Sequence, residues 1–254
     1  MCGSAGTALP PNATVRLTRS GKTLTATTNS VSADNKTLTA TLDLTDAAPG
    51  TWNVSVLTNC CEYPRGTFTV TQPQLKNTAA PKVTGTAKVG AKVTAVPGSW
   101  SATPTSYTYQ WQADGKAISG ATAASYTIPA SVVGKKLGVT VTAVKSGWQS
   151  GAATSAAVTV AKGDAPKATK LPVISGTAQV GRTLKTTNGT WSPAASSYKY
   201  QWYANGTAIT GATKSSLVLK SAQKGKKITV KVIALRTGHK DGSAVSKPTG
   251  TVKS

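Results

Sequence analysis

The sequence is poor in the side chains that carry acid–base and metal chemistry. Among 254 residues there are one histidine and seven acidic residues. Proton transfer in enzymes relies mostly on histidine and carboxylate groups, and a metal site needs several such ligands at one place. The composition therefore argues against an enzyme and predicts no metal or other cofactor.

Long apolar segments are also missing. No stretch approaches the roughly 18 consecutive apolar residues of a membrane-spanning helix, so no membrane span is predicted. Valine, leucine and isoleucine nevertheless recur in alternating runs, which is typical of folded chains and not of disordered ones. We expect a chain built from small folded modules.

Cysteine is scarce, and all of it lies in the first third of the chain. Adjacent cysteines such as Cys60 and Cys61 rarely bridge each other, so a disulfide from Cys2 to one of them is favoured. A bridge between the two neighbours and free thiols remain alternatives. Any bridge would indicate an oxidising setting outside the cytoplasm.

Positive charge is abundant and unevenly distributed. Lysine and arginine total 29, the net charge is +22, and residues 172–254 carry thirteen basic side chains against one acidic side chain. Since most of the cations are lysines, the surface favours diffuse attraction to polyanions over sequence-specific binding of nucleic acid. The alternative is a solvated surface that keeps an exported protein soluble. The candidate polyanion-binding residues are Lys224, Lys226, Lys227, Lys231 and Lys240.

The last third of the chain repeats the middle third. Shifting the sequence by 91 residues aligns Trp100 with Trp191 and Trp111 with Trp202, without an insertion between them. Several glycines align at the same offset. The pattern predicts a tandem duplication of a unit of about 80 residues.

The duplication sets the predicted domain boundaries. The repeats are assigned to residues 81–161 and 172–253, and a different first module to residues 1–72. The segments 72–80 and 162–170 are polar and contain glycine or proline, so we interpret them as short linkers.

Each repeat reads as a series of short strands. Tyr107, Tyr109 and Trp111 occupy every second position, which places them on one face of a strand. The dipeptides Asp114-Gly115 and Asn205-Gly206 follow the aromatic runs and are typical of two-residue hairpin turns. Such strands with frequent turns predict an all-β fold, with each repeat a β-sandwich.

Several motifs of the repeats occur in a fixed order. They are Gly189-Thr-Trp191, Tyr198-Lys-Tyr-Gln-Trp202, Ala208-Ile-Thr-Gly-Ala-Thr213 and Gly225-Lys-Lys227, with counterparts in the first copy. In this order they resemble the bacterial immunoglobulin-like repeat of secreted and surface proteins of high-GC Gram-positive bacteria. The resemblance covers both repeats and implies immunoglobulin-like sandwiches.

The first module carries a second resemblance. Residues 31–56 and 66–70 are similar to the later strands of an IPT/TIG-type immunoglobulin-like domain. Domains of that type usually begin with further strands, so we expect a partial module and a chain that is a fragment of a longer polypeptide. The whole chain then implies three tandem immunoglobulin-like modules on short linkers.

Aromatic side chains raise the possibility of glycan stacking. Trp111 and Trp202 are expected in the sandwich cores, as in immunoglobulin domains. The candidates for stacking are Trp100, Trp191, Trp148 and Tyr203. Packing is the favoured interpretation for the first two, and the other two lack aromatic counterparts in the opposite repeat.

The remaining polar candidates for chemistry point to no catalytic site. His239 stands beside Asp241 without a placed nucleophile, and we interpret it as a surface loop residue. Paired carboxylates for glycoside hydrolysis could come only from Asp34, Asp43 and Asp46 of the first module.

These families imply a non-enzymatic role. The expected function is an exported, bacterial, cell-surface spacer or adhesive region whose third module is attracted to anionic cell-wall polymers. The alternatives are a carbohydrate-binding accessory region of a larger secreted hydrolase and a decoration domain of a phage particle.

Overall fold

The computed structural model describes residues 9–45, 47–58 and 61–254. It divides into two compact units. One comprises residues up to Gln74 together with Ser146–Gln149, and the other comprises Leu75–Lys145 together with Ser150–Ser254.

The first unit is built from antiparallel strands. Its strands are β1 (Thr14–Arg19), β2 (Lys22–Thr25), β3 (Thr28–Val31), β4 (Leu38–Thr41), β5 (Gly50–Leu57) and β6 (Glu62–Val70). One sheet has the order β2-β1-β5-β6, and β3 pairs with β4 in a separate hairpin. Trp52, Leu17 and Val56 are buried, and the Trp52 Nε1–H donates to the Ala48 carbonyl at 2.9 Å.

The second unit contains both repeats, with one strand series in each. The first repeat has β7 (Asn77–Ala79), β8 (Lys82–Thr84), β9 (Lys92–Val96), β10 (Ser99–Trp100), β11 (Ser106–Ala113), β12 (Lys116–Ala117), β13 (Ser125–Thr127), β14 (Lys136–Val144), β15 (Gly151–Thr154) and β16 (Val158–Thr159). The second has β17 (Lys167–Lys170), β18 (Ile174–Ser175), β19 (Thr183–Thr186), β20 (Thr190–Ser192), β21 (Ser197–Ala204), β22 (Thr207–Ala208), β23 (Ser216–Val218), β24 (Ile228–Leu235) and β25 (Gly242–Val245).

Each repeat is an immunoglobulin-like sandwich. In the first, a three-stranded sheet β13-β9-β8 faces the sheet β12-β11-β14-β15, and in the second β18-β19-β23 faces β22-β21-β24-β25. This is the division into two antiparallel sheets, one built around the central aromatic strand, that defines the fold. The all-β prediction is confirmed.

Both cores contain the tryptophan that the alternation predicts. Trp111 and Trp202 are fully buried, each among apolar side chains of both sheets of its own repeat. Alternate residues of β14 and β24 also point inward, so that Val139 and Val230 have no exposed surface. Burial of a tryptophan removes about 150–250 Å² from water, a large share of the core of such a small sandwich.

The predicted hairpin turns are present. Asp114 and Asn205 have φ angles of 51° and 46°, and each is followed by a glycine with positive φ. The side chains also act alike, because Asp114 Oδ1 accepts from the Lys136 amide at 2.9 Å and Asn205 Oδ1 from the Lys227 amide at 2.8 Å. Acceptor geometry and tolerance of positive φ explain why aspartate and asparagine exchange here.

The segments predicted as linkers are partly strand, and this prediction is wrong in part. Residues 77–79 form β7, which pairs with β10, and residues 167–170 form β17, which pairs with β20. Leu75 is buried although it lies in the first of these segments. Short polar strands whose partners lie a dozen or more residues away leave little pattern in the sequence, which is why the composition suggested linkers.

The two repeats differ by one residue near their ends. The amide of Gly134 donates to Val160 O at 2.8 Å, and the amide of Gly225 donates to Val252 O at 2.9 Å. Gly134 and Gly225 are separated by the 91 residues of the duplication, whereas Val160 and Val252 are separated by one residue more. Both valines are buried, so the second repeat accommodates one extra residue between Ser246 and Val252.

The helical part of the described residues consists of two short 3₁₀ turns, Ala130–Val132 and Ser221–Gln223. Within these described ranges no helix has the length and apolar character needed to cross a membrane.

Candidate functional site

Two of the acidic residues proposed for hydrolysis are used in turns. Asp34 Oδ1 accepts from the Ser32 hydroxyl and the Lys36 amide, and Asp43 Oδ1 accepts from the hydroxyl and amide of Thr45. These hydrogen bonds hold the pKa of each carboxyl below its usual range. The largest effect comes from the hydroxyl group, that of Ser32 for Asp34 and that of Thr45 for Asp43. Both carboxylates are exposed and ionised, which suits turn formation and not proton donation. Asp46 lies outside the described residues.

The acidic residue of β6 is engaged in the sheet. Glu62 forms an ion pair with Arg16 at 3.0 Å and accepts a hydrogen bond from the Ser55 hydroxyl. Arg16, Ser55 and Glu62 belong to the three adjacent strands β1, β5 and β6. The arrangement fixes the edge of the sheet around a single carboxylate.

The only histidine lies in the junction between the two repeats. His239 is half-buried, its Nδ1 is 2.9 Å from the Asp164 carbonyl, and the Arg236 Nε–H donates to its Nε2 at 3.2 Å. Because arginine can only donate, Nε2 is the acceptor and the ring proton belongs on Nδ1, where it is donated to Asp164. The prediction of a surface loop residue is therefore wrong in part, since the ring has a fixed place between the modules.

The backbone around His239 joins the repeats as well. The amide of Gly163 donates to Gly238 O at 2.9 Å, and the amide of Lys240 donates back to Gly163 O at 3.0 Å. Two residues earlier, the Ala161 amide donates to Ala87 O, and the Ala161 carbonyl accepts from the amide of Val89. The first repeat is thus hydrogen-bonded within itself up to Ala161, and two residues later Gly163 is hydrogen-bonded to the second repeat.

An ion pair lies beside this junction. Lys88 Nζ is 2.6 Å from Asp164 Oδ2. The hydrogen bond from Lys88 and its charge, with smaller contributions from Lys240 and Lys167, hold the pKa of Asp164 below its usual range. The carboxylate is exposed to solvent, so the pair contributes to orientation more than to stability.

The junction leaves no space for larger residues at its glycines. A Cβ added to Gly163 would lie 2.4 Å from His239 Nδ1 and 2.7 Å from Val89 O. At Gly238 an added Cβ would lie 2.8 Å from the Ala130 side chain. Such distances are shorter than van der Waals contact, and the two repeats therefore meet at close approach.

The tryptophans of the two Gly-x-Trp motifs are packed against the protein. Trp191 is 6% exposed, and its Nε1–H donates to Asn188 O at 2.8 Å. Trp100 is half-buried and donates to Pro97 O at 3.2 Å. Each ring also lies over a glycine of its own repeat, Gly242 and Gly151 respectively. Trp191 has no open face for a sugar, which corrects its candidacy for glycan stacking.

The other two aromatic candidates are half-buried. Trp148 belongs to the loop Ser146–Gln149 of the first unit. Tyr203 lies on β21, directly opposite Thr229 of β24 and Ala208 of β22. It points away from the core, because its neighbours Trp202 and Ala204 are buried.

The candidate lysines do not all lie at one place. Lys224, Lys226 and Lys227 precede β24, whereas Lys240 follows it and reaches the junction with the first repeat. Since β24 has eight residues, the two ends are about 25 Å apart. Lys231 lies between them, opposite Gln201.

Cys61 is disulfide-bonded. Cys2 and Cys60 lie outside the described residues, so the choice between them as its partner stays a prediction. Among the residues that the structure describes, no group of three or more histidine, cysteine and acidic side chains could hold a metal ion.

Sequence reasoning missed the junction as a site. The one signal in the sequence was Gly163, a glycine in a polar segment. Its contact with His239, the single histidine of the chain, appears only in the folded structure. A linker glycine normally indicates flexibility, whereas here it permits a close contact.

No protein-family model and no curated protein matches the chain. Among solved structures, a tetra-tandem repeat from the extending region of a large adhesion protein is 17% identical with a TM-score of 0.38, covering 94% of this chain and 67% of that one. Domains A168–A170 of titin are 15% identical with a TM-score of 0.29, covering 96% of this chain and 90% of theirs. The three N-terminal domains of the outer capsid protein Hoc of bacteriophage RB49 are 15% identical with a TM-score of 0.31, covering 96% of this chain and 89% of theirs.

Each of these neighbours consists of several domains or repeats in tandem. At such identity and TM-score they do not indicate a function. The immunoglobulin-like assignment rests on the strand order and the cores described above.

Proposed function

We propose that this chain is a non-enzymatic spacer and adhesive region, exported and associated with a bacterial cell envelope. In this proposal the modules extend the polypeptide from which they come, and the third module holds to anionic polymers of the wall. The observation that carries the spacer role is the junction at residues 161–164, which is hydrogen-bonded to both repeats.

A spacer needs modules that keep a fixed orientation. A free polar linker of this length would behave as a flexible coil. Ala161, the last residue of the first repeat, is held to Ala87 and Val89, and Gly163 is hydrogen-bonded to the second repeat, so only Lys162 lies between the two attached residues. The tight fit at Gly163 and Gly238 supports the same conclusion.

The charge of the second repeat supports the adhesive part of the proposal. Residues 172–254 carry twelve net positive charges. Of the two ion pairs among the described residues, neither involves these lysines. Uncompensated lysines attract polyanions, and the affinity falls steeply with salt.

The acidic residues support a non-enzymatic role. Asp34, Asp43 and Glu62 are committed to turns and to the sheet, and Asp164 to the junction. The burial of Trp191 also speaks against neutral-glycan stacking at that ring as the basis of binding. A carbohydrate-binding accessory role would need another surface.

The adhesive part is tested by sedimentation with purified Gram-positive cell walls over a salt series. Walls stripped of phosphate polymers with hydrofluoric acid serve as the control. We expect binding at low ionic strength that falls steeply with salt and is lost on the stripped walls. Binding that is indifferent to both salt and stripping would contradict the proposal.

The spacer part is tested by residual dipolar couplings on the whole chain. Amides of the two repeats should fit one common alignment tensor if the junction is rigid. Two tensors of clearly different magnitude would show independent tumbling and would contradict the spacer role.

A further inference from the structure

The outer face of the second repeat's four-stranded sheet differs from that of the first. Outward-pointing residues of β21 and β24 alternate with the buried ones, and they include Lys199, Tyr203 and Lys231. The same positions of the first repeat hold Thr108, Gln112 and Thr140. We call the three residues of the second repeat the cationic sheet face.

The strand register places the three side chains beside one another. Lys231 is directly opposite Gln201, which lies between Lys199 and Tyr203 on β21. Lys231 is therefore diagonal to both Lys199 and Tyr203, and its Cα atom is about 7–8 Å from theirs. One aromatic ring and two ammonium groups thus share a single patch.

The patch is flanked by apolar side chains. Lys199 is opposite Ile233, and Lys231 is opposite Val245 of β25. Val245 is 47% exposed. In the first repeat the positions of Ile233 and Val245 are threonines.

Nothing in the fold requires this exchange. In the first repeat the face is neutral and satisfied within itself, since Gln112 Nε2 donates to Thr140 Oγ1 at 2.8 Å and Thr140 Oγ1 is 2.8 Å from Thr154 Oγ1. The second repeat replaces this network by two like charges at diagonal positions, which destabilises a sheet slightly. The exchange replaces a hydrogen-bonded network by two charges and an aromatic ring, and this difference makes the face a candidate for binding a ligand.

We infer that the cationic sheet face binds a segment of an anionic glycan, with a sugar ring on Tyr203 and its carboxylate or phosphate groups on Lys199 and Lys231. This inference deepens the proposed function and rests on it. The Tyr203 ring offers an apolar face for a sugar, and lysine offers point charges that follow acidic groups in many orientations. Single-stranded nucleic acid fits less well, because its binding surfaces use several aromatic rings for successive bases.

The duplication supplies the variants for the test. Lys199→Thr, Tyr203→Gln and Lys231→Thr together restore the residues that the first repeat carries in the same register, so folding is expected to persist. The charge-matched control combines Lys185→Thr and Lys214→Ala, which also restore first-repeat residues. Lys185 lies on β19 of the opposite sheet, and Lys214 is exposed.

Binding is measured by calorimetry with alginate oligosaccharides at low ionic strength, with neutral dextran and poly(dT) for comparison. We expect the triple variant to bind alginate about tenfold more weakly than the wild type and the control variant to lose less than about twofold. Dextran should not bind, and poly(dT) should bind more weakly than alginate. Circular dichroism and the melting temperature of each variant verify the fold.

A reciprocal variant gives a second readout. Thr108→Lys, Gln112→Tyr and Thr140→Lys in the first repeat should increase the number of alginate segments bound per chain. Gln112 and Thr140 are exchanged together because they hydrogen-bond each other.

Each contrary result has its own meaning. Equal losses in the triple and control variants would overturn the specific face and leave the diffuse attraction of the proposed function intact. Absence of alginate binding by the wild type would overturn the inference, while the wall sedimentation reports on the proposed function separately. Tighter binding of poly(dT), with the same dependence on the three residues, would replace the glycan by nucleic acid. A change of oligomeric state in the triple variant would identify the face as a contact between copies.

Discussion

The two repeats are copies of one sandwich whose interiors and exteriors have changed to different extents. Inside, Trp111 and Trp202 occupy the same position with no exposed surface. Outside, the sheet around β11 and β14 is a network of threonine and glutamine, whereas the sheet around β21 and β24 carries lysine and tyrosine. The fold fixes the core residues, and the surface remains free to acquire a separate role in each copy.

The largest expected effect concerns the core tryptophans. Trp111→Ala and Trp202→Ala should each reduce the free energy of unfolding of their repeat by about 3–5 kcal/mol. The loss at Trp111 should be greater by about 0.5–1.5 kcal/mol, because its ring stacks on Tyr126 at 5.5 Å, where the second repeat has Leu217. Urea unfolding followed by NMR amide signals of each repeat measures both values. An equal loss would show that the stacking contributes nothing beyond burial.

The next prediction concerns the contact between the copies. Gly163→Ala should destabilise the junction by about 1–3 kcal/mol, because the added methyl would meet His239 and the Val89 carbonyl. The alignment tensors of the two repeats should then diverge, and proteolysis near residue 163 should become faster. Gly250→Ala, where an added Cβ meets nothing within 4 Å, is the matched control. Unchanged couplings in the first variant would mean that the close approach is not what orients the repeats.

A smaller difference should appear at a tyrosine shared by both copies. The Tyr200 hydroxyl donates to Asn188 Oδ1 at 2.6 Å, and the first repeat has Pro97 in place of that asparagine. Tyr200→Phe should cost about 1 kcal/mol of unfolding free energy, whereas Tyr109→Phe should cost almost nothing. Thermal unfolding of the two variants makes the comparison, and equal melting temperatures would remove this hydrogen bond from the account.

The smallest expected effect is a pH dependence at the junction. The pKa of Asp164 is lowered in the folded chain, foremost by the hydrogen bond from Lys88. A lowered folded pKa gives a contribution that is present above the unfolded value of about 3.9 and is lost as pH falls through the folded value. Couplings measured from pH 5 down to pH 3 should show a slight loosening of the repeats, and Lys88→Gln should reduce that change. Glutamine is chosen because the second repeat has Gln179 at the position equivalent to Lys88.

Much of the fold could be predicted from the sequence because the core obeys a simple period. Alternation in residues 107–111 and 137–143 identified the strands that are buried, and the Asp-Gly and Asn-Gly pairs identified the turns. The polar strands β7 and β17 escaped prediction because their pairing with β10 and β20 depends on contacts distant in sequence. Propensity carries little information about such edge strands.

The candidate sites were less predictable. Burial of Trp191 against Gly242 could not be read from a Gly-Thr-Trp motif, since an exposed and a packed ring look alike in sequence. Lys231 and Lys240 are close in sequence, but Lys231 lies on β24 and Lys240 lies at the junction between the repeats. The cationic sheet face required the register of β21 and β24, which the alternation alone does not give.

The segment from Ala161 to Gly163 has a consequence for how this chain would respond to tension. Ala161 is bridged to Lys88 and Gly163 to His239, so that a pull on the two repeats would have to break hydrogen bonds close to Lys162 before this segment could lengthen. The pair of sandwiches would then extend as one stiff link until these bonds break. Resistance to stretching would in this way depend on residues 161–163 together with their partners Lys88 and His239 in the two repeats.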